Sequence, residues 1–101
     1  MPSRRSLRYL QAAQDDLVSI LDWIALDSPS RAAAFVQTVD KRIGRLEAHP
    51  EMGRVPRNDK LKKLGYRVLM LGNFLVFYLV RGSMIEIHRV IHGSKNLEDI
   101  L

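Results

Sequence analysis

Residues 74–80, FLVFYLV, are seven consecutive apolar positions, and they constrain this chain more than any other feature. A helix crossing a bilayer takes about 20 such residues, so the run is no membrane span. It lacks the polar alternation of a strand with one wet face. Set between the turn signals Gly72-Asn73 and Arg81-Gly82-Ser83, it reads as a central strand covered on both faces. Gly72-Asn73, with Gly first, predicts a type II′ hairpin back to a strand over residues 65–71. Arg81-Gly82-Ser83 predicts a second tight turn into a third strand over 84–91. A short strand over 6–10 is expected to join the sheet edge.

Between these strand signals lies a helical pattern. Ala13, Leu17, Ile20, Leu21 and Ile24 recur at three- and four-residue steps and predict a helix over 12–26. Asp15 and Asp16 are expected in its first turn, at the positive end of the helix dipole. Ser28 is suited to cap a second helix, and Pro29 to its first position, where a missing N–H costs nothing. Ala32, Phe35, Val36, Val39, Ile43 and Leu46 form its apolar stripe, and His49-Pro50 ends it. The short link makes the pair a helical hairpin. Residues 50–64, with Gly53, Pro56, Asn58 and Asp59, read as a surface loop.

The expected layout is β-α-α-β-β-β, an α+β domain with a helical hairpin packed on one face of a small antiparallel sheet. A chain of 101 residues suits one domain over its whole length. Two features resist this scheme. The sheet face away from the helices would still present apolar side chains of residues 74–80, so cover is expected from the C-terminal tail, of which residues 96–101 are read as a helical turn or extension, or from a partner chain. In the last strand Arg89 falls on the face of Ile85, Ile87 and Ile91. A bulge that re-aims it, or a paired buried guanidinium, would resolve the conflict.

Charge is distributed unevenly. Residues 1–50 carry seven Lys and Arg against six Asp and Glu; residues 51–101 carry nine against five. Arg54, Arg57, Lys60, Lys62, Lys63 and Arg67 crowd one stretch that has only Asp59 in opposition. Such a cluster points to nucleic acid or an acidic protein segment as partner. The absence of Cys excludes a disulfide framework, thiolate metal sites and Cys catalysis. It agrees with a cytoplasmic home, and a secretory signal is not expected, because no apolar stretch or small-residue cleavage site follows Arg4 and Arg5. His88 and His92 have only Glu86 beside them, too few ligands for a metal centre, and no cofactor is expected.

Several elements together resemble the RelE/ParE toxin superfamily. They are Ala13-x-x-Asp16-Leu17-x-x-Ile20 and His49-Pro50-Glu51-Met52-Gly53-Arg54 with its Pro-x-x-Gly-Arg element. Gly65-Tyr66-Arg67, Phe77-Tyr78-Leu79-Val80 and the close from Arg89 through Asn96, Arg-Val-x-His-x-x-Lys-Asn, complete the set. The resemblance runs over nearly the whole chain and implies two helices on a small antiparallel sheet. It implies the toxin of a bacterial type II toxin–antitoxin module, of plasmid-stabilisation type, that arrests growth until a cognate antitoxin binds it. Operator DNA would be reached only through the antitoxin, and no membrane is involved.

The superfamily divides by target, and the close of the chain is more similar to the ParE branch. That implies a non-enzymatic inhibitor of DNA gyrase. The alternative is a RelE-like, metal-independent endoribonuclease acting on messenger RNA at the ribosome. In that case Arg67, Arg89 and His92 would be catalytic, with Glu86 a second candidate for proton transfer and Lys62 and Lys63 adding charge. Where the nuclease members carry a middle-strand arginine, this chain has Leu75. A third reading is a non-toxic basic module that binds nucleic acid. Expected target contacts are Arg54, Arg57, Lys60, Lys62, Lys63 and Lys95; expected antitoxin contacts are Phe74, Val76, Tyr78 and Trp23.

Overall fold

The computed structural model describes residues 5–94. Strand β1 (Ser6–Tyr9) leads through Leu10 into helix α1 (Gln11–Asp27), and α2 (Pro29–Gly44) likewise follows after one residue. That residue, Ser28, is extended, and its hydroxyl accepts from the Arg31 N–H, so the cap and the Pro29 start are as read from the sequence. One 3₁₀ turn, Arg45–Glu47, tapers α2 into His49-Pro50. Strands β2 (Arg67–Leu71), β3 (Phe74–Arg81) and β4 (Met84–His92) then form a meander.

The sheet order is β1-β4-β3-β2, which places the apolar run at the centre. β2, β3 and β4 pair antiparallel, and β1 joins β4 in parallel on the edge. The β2–β3 hairpin turns on Gly72, whose φ is +62°, while Asn73 keeps a negative φ. Positive φ at the first central residue alone fits type II′ and excludes type I′, which needs it at both.

Alternate residues of β3 serve two layers. Val76 and Tyr78, fully buried, face the hairpin and pack with Ala13, Val39, Ile43 and Leu46. Leu75 and Phe77 face the other way. Part of the cover of that second face comes from a segment that was not expected to supply it. The segment between the helices and β2, read as loop, contains a short helix α3 (Asp59–Lys63). The Asn58 side chain caps it by accepting from the Leu61 N–H at 3.0 Å. Leu61, only 2% exposed, and Tyr66 close over Val68, Leu75, Phe77 and Ile91. One leucine and one tyrosine thus complete a second small core beneath a strongly basic lid.

Two further expectations are corrected. α1 starts at Gln11, so Asp15 and Asp16 fall in its second turn and its first turn holds no acid. The strict alternation along β4 breaks at His88: Phe77 pairs with Arg89 but Tyr78 with Ile87, so one residue bulges. Past the bulge Val90 joins Ile85 and Ile87 on the helix side, and Ile91 moves to the lid side. This answers the Arg89 conflict, since the guanidinium pairs with Asp16 of α1, Nε to Oδ2 at 2.7 Å and Nη2 to Oδ1 at 2.8 Å. The bulge and the paired guanidinium occur together.

Candidate functional site

The basic segment is held by a built mount. Tyr78 is fully buried, yet its hydroxyl donates to the Pro50 carbonyl at 2.7 Å and accepts from the Gly53 N–H at 2.9 Å. Burial pushes its pKa up. The approach demands glycine: a Cβ at position 53 would stand 2.5 Å from the Tyr78 oxygen. Arg67 braces the same turn by donating to the Gly53 carbonyl at 2.8 Å and, at 3.5 Å, to that of Glu51. Arg54 then pairs with Val68 like a short strand, with N–H to O distances of 2.9 and 2.8 Å in the two directions. The Pro-x-x-Gly-Arg element is therefore a rigid clasp that fixes where Arg54 leaves the surface.

Behind the clasp opens a cleft of about 480 Å³. Val68 and Leu75 form its floor, and Arg54, Val55, Pro56, Arg57 and Asn58 its walls. α3 adds Lys60, Lys62 and Lys63 alongside. None of these five cations forms an ion pair among the described residues. The clustered, unneutralised charge gives this side a positive field.

On the same side runs a chain of hydrogen bonds. The Tyr66 hydroxyl meets His88 Nδ1 at 2.9 Å, His88 Nε2 meets Glu86 Oε1 at 3.2 Å, and Arg81 Nε donates to that oxygen at 2.8 Å. The His88 contact, with Arg81 adding to it, holds the Glu86 carboxyl below its ordinary pKa. Burial raises the Tyr66 pKa. The chain joins the end of the lid to β4.

The residues expected to be catalytic are not brought together. Arg67 serves the clasp; it does not pair with Glu86, which goes to Arg81 and His88. Arg89 is committed to Asp16, whose hydrogen bonds raise its pKa further, and the same carboxylate accepts from the Val90 N–H at 2.9 Å. His92 lies exposed at the far end of the sheet, paired in register with Phe74, while Arg67 is in register with Tyr78. Four residues of strand, about 13 Å, separate those rows. His92 Nδ1 instead engages Ser94 at 2.8 Å.

The expected antitoxin contacts divide as well. Val76 and Tyr78 have no exposed surface and offer nothing to a partner; their side chains are core. Trp23, 72% exposed, and Phe74 line one open groove of about 500 Å³ with Ile24, Phe35 and His92. Phe74 meets Phe35 and His92 edge-on, at ring-centre distances of 5.7 and 5.5 Å. Lys95 lies outside the described residues, as does the stretch 96–101. Among the described residues no helix is long and apolar enough to cross a membrane.

Sequence reasoning missed the roles of Asp16, His88 and Leu61. The misfit of Arg89 among isoleucines was a signal that a bulge or a paired partner had to resolve it, without naming Asp16. Nothing local marked His88 as the bulge.

A family model described as the ParE toxin of the type II toxin–antitoxin system parDE matches residues 7–97. Among solved structures, a chain of the chromosomal ParDE toxin–antitoxin system from P. aeruginosa is similar at 28% identity with a TM-score of 0.71, covering 88% of this chain and 96% of that one. A chain of the RelBE2 toxin–antitoxin complex from Mycobacterium tuberculosis shares the fold at 23% identity with a TM-score of 0.62, covering 88% and 98% respectively. Comparison with the curated proteins gives no match.

Proposed function

The chain belongs to the ParE toxin family of type II toxin–antitoxin systems, and from this we propose that it arrests bacterial growth by a non-enzymatic, ParE-like action on DNA gyrase. A cognate antitoxin would hold it inactive and alone carry the pair to operator DNA. In this reading Arg54, Arg57, Lys60, Lys62 and Lys63, with Lys95 beyond the described residues, engage the target. Trp23 and Phe74 meet the antitoxin at the groove between the hairpin and the sheet.

One observation carries the choice of mechanism. Arg67, Arg89 and His92 each have a separate structural engagement and do not face a common point. Metal-free RNA cleavage needs a base, an acid and cations around one phosphate. Leu75, 9% exposed, puts an alkyl side chain where the nuclease relatives would have a cation. The nuclease reading keeps one supporting feature, the Tyr66–His88–Glu86 chain near the lid cations.

Induced expression in bacteria, followed by mapping of messenger RNA 5′ ends, tests the proposal. Growth arrest without new site-specific ends is expected, with relief on co-expression of the adjacent reading frame's product. Codon-specific cuts would replace the inhibitor with a nuclease. Harmless expression would reject both.

A further inference from the structure

Met52, Val55 and Leu64 are large apolar residues left exposed, and in sequence they are interleaved with Arg54, Arg57, Lys60, Lys62 and Lys63. A surface that only holds phosphates needs cations and no alkyl groups. We propose that the cleft beside the clasp docks an extended acidic peptide with aliphatic side chains between its acids, presented by the target protein, so that the lid reads protein and not DNA. This deepens the function proposed above and rests on it for the identity of the target; the choice of ligand rests on the cleft.

The side chains of the cleft suit such a segment. Arg54 and Arg57 stand on its walls without an ion pair among the described residues, and Val68 and Leu75 make its floor aliphatic. Val55 is 47% exposed beside them. At most about 11 Å of chain separates the two arginines. Acids at alternate positions of an extended peptide stand about 7 Å apart on one side, with the intervening side chains on the other. One segment therefore meets both guanidiniums while its aliphatic side chains lie on Val55 and the floor.

The backbone points the same way. Among the described residues the Val55 N–H and carbonyl take part in no hydrogen bond. An extended peptide supplies both an acceptor and a donor to such a pair, whereas the phosphodiesters of DNA supply acceptors alone. None of the seven residues lining the cleft is aromatic. A single-stranded nucleic acid would gain little here, because base stacking on aromatic rings is what holds it in such grooves. The clasp fixes Arg54 before any ligand arrives, so little ordering is left to the binding step.

The probe is a blocked hexapeptide alternating Asp and Leu, titrated into the ¹⁵N-enriched full chain. It is expected to move the amide signals of Val55, Arg57, Asn58, Val68 and Leu75. It should bind roughly tenfold or more tightly than a hexapeptide alternating Asp and Ser, because leucine burial is lost in the latter. Arg54→Gln with Arg57→Gln, both exposed positions, should abolish the shifts while the rest of the spectrum is kept. Duplex DNA is expected to leave Val68 and Leu75 unmoved. DNA that moves the same five amides as tightly as the Asp-Leu peptide would make the cleft a phosphate site and overturn the proposal. Equal binding of the Asp-Ser peptide, or shifts centred on Trp23 and Phe74, would overturn it too. Antitoxin affinity that falls in the same double variant would give the cleft to the antitoxin, with the same consequence. With gyrase and supercoiled DNA, saturating Asp-Leu peptide should suppress the DNA breaks; breaks that persist with the cleft filled would overturn the assignment to the target. Gyrase that gives no breaks even without peptide would instead reject the proposed function, and the peptide titration would still decide what the cleft binds.

Discussion

Asp16 binds three donors on one carboxylate: Arg89 Nε, Arg89 Nη2 and the Val90 N–H. Both partners of the pair are largely shielded, with side chains 15% and 28% exposed. Hydrogen bonds to charged groups contribute about 1.5–3 kcal/mol each time one partner is removed. Asp16→Asn should therefore lower unfolding free energy by about 2 kcal/mol in urea titration, with Arg89→Ala adding little on top because the two share one interaction. Full additivity would show that the pair is not coupled. The conflict at Arg89 was legible in the sequence, but its partner lies 73 positions away and no local pattern names it. The tyrosines make a second test at this scale. All three carry raised pKa values: burial pushes Tyr9 up to about 12, with Asp40 adding to it, and burial raises Tyr66 and Tyr78. A raised folded-state value means stability is fully present below the ordinary pKa of 10.0 and is lost as pH rises through the folded values. Phenolate absorbance should thus appear well above pH 10 in the native protein and near pH 10 in denaturant. A native titration centred at 10 would contradict the buried placement.

At the scale of elements the hairpin and the meander were readable because their signals are repeated. Five or six apolar positions recur along each helix, and turn dipeptides flank the central strand. α3 was not readable: five residues hold too little periodicity to register, and its single anchor is Leu61. The same brevity makes it the weak point of the lid. Leu61→Ala should cost about 2–5 kcal/mol of stability, as removal of a buried leucine does. Its local effect should be larger, with amide hydrogen exchange accelerating at Leu61 and Tyr66 while Val76 and Ile87 stay protected. Uniform acceleration across the sheet would show that the lid and the main core open as one unit. The clasp explains why the lid can be basic and still fixed. The Tyr78 hydroxyl, Gly53 and Arg67 hold its entry by hydrogen bonds whose partners are mostly backbone. The sequence presented that element as a motif whose mechanical purpose appears only when β3 is placed behind it.

Across the molecule charge separates by element. α1 carries four aspartates and no lysine or arginine, whereas the stretch from Arg54 to Lys63 carries five cations and one acid. A surface so divided steers an anionic or acidic target toward the lid and away from the hairpin. The fold and family could be read from the sequence because order and spacing of weak motifs accumulate over the chain. The site was less legible, since residue type alone does not show that Arg67 holds the Gly53 carbonyl or that Arg89 holds Asp16. The central claim, a lid that acts on gyrase by binding, is tested most directly with purified gyrase, supercoiled DNA and this protein. The expected result is accumulation of gyrase-dependent DNA breaks, lost in an Arg54→Glu, Arg57→Glu variant whose thermal unfolding is unchanged. Gyrase that supercoils undisturbed at saturating protein would contradict the account.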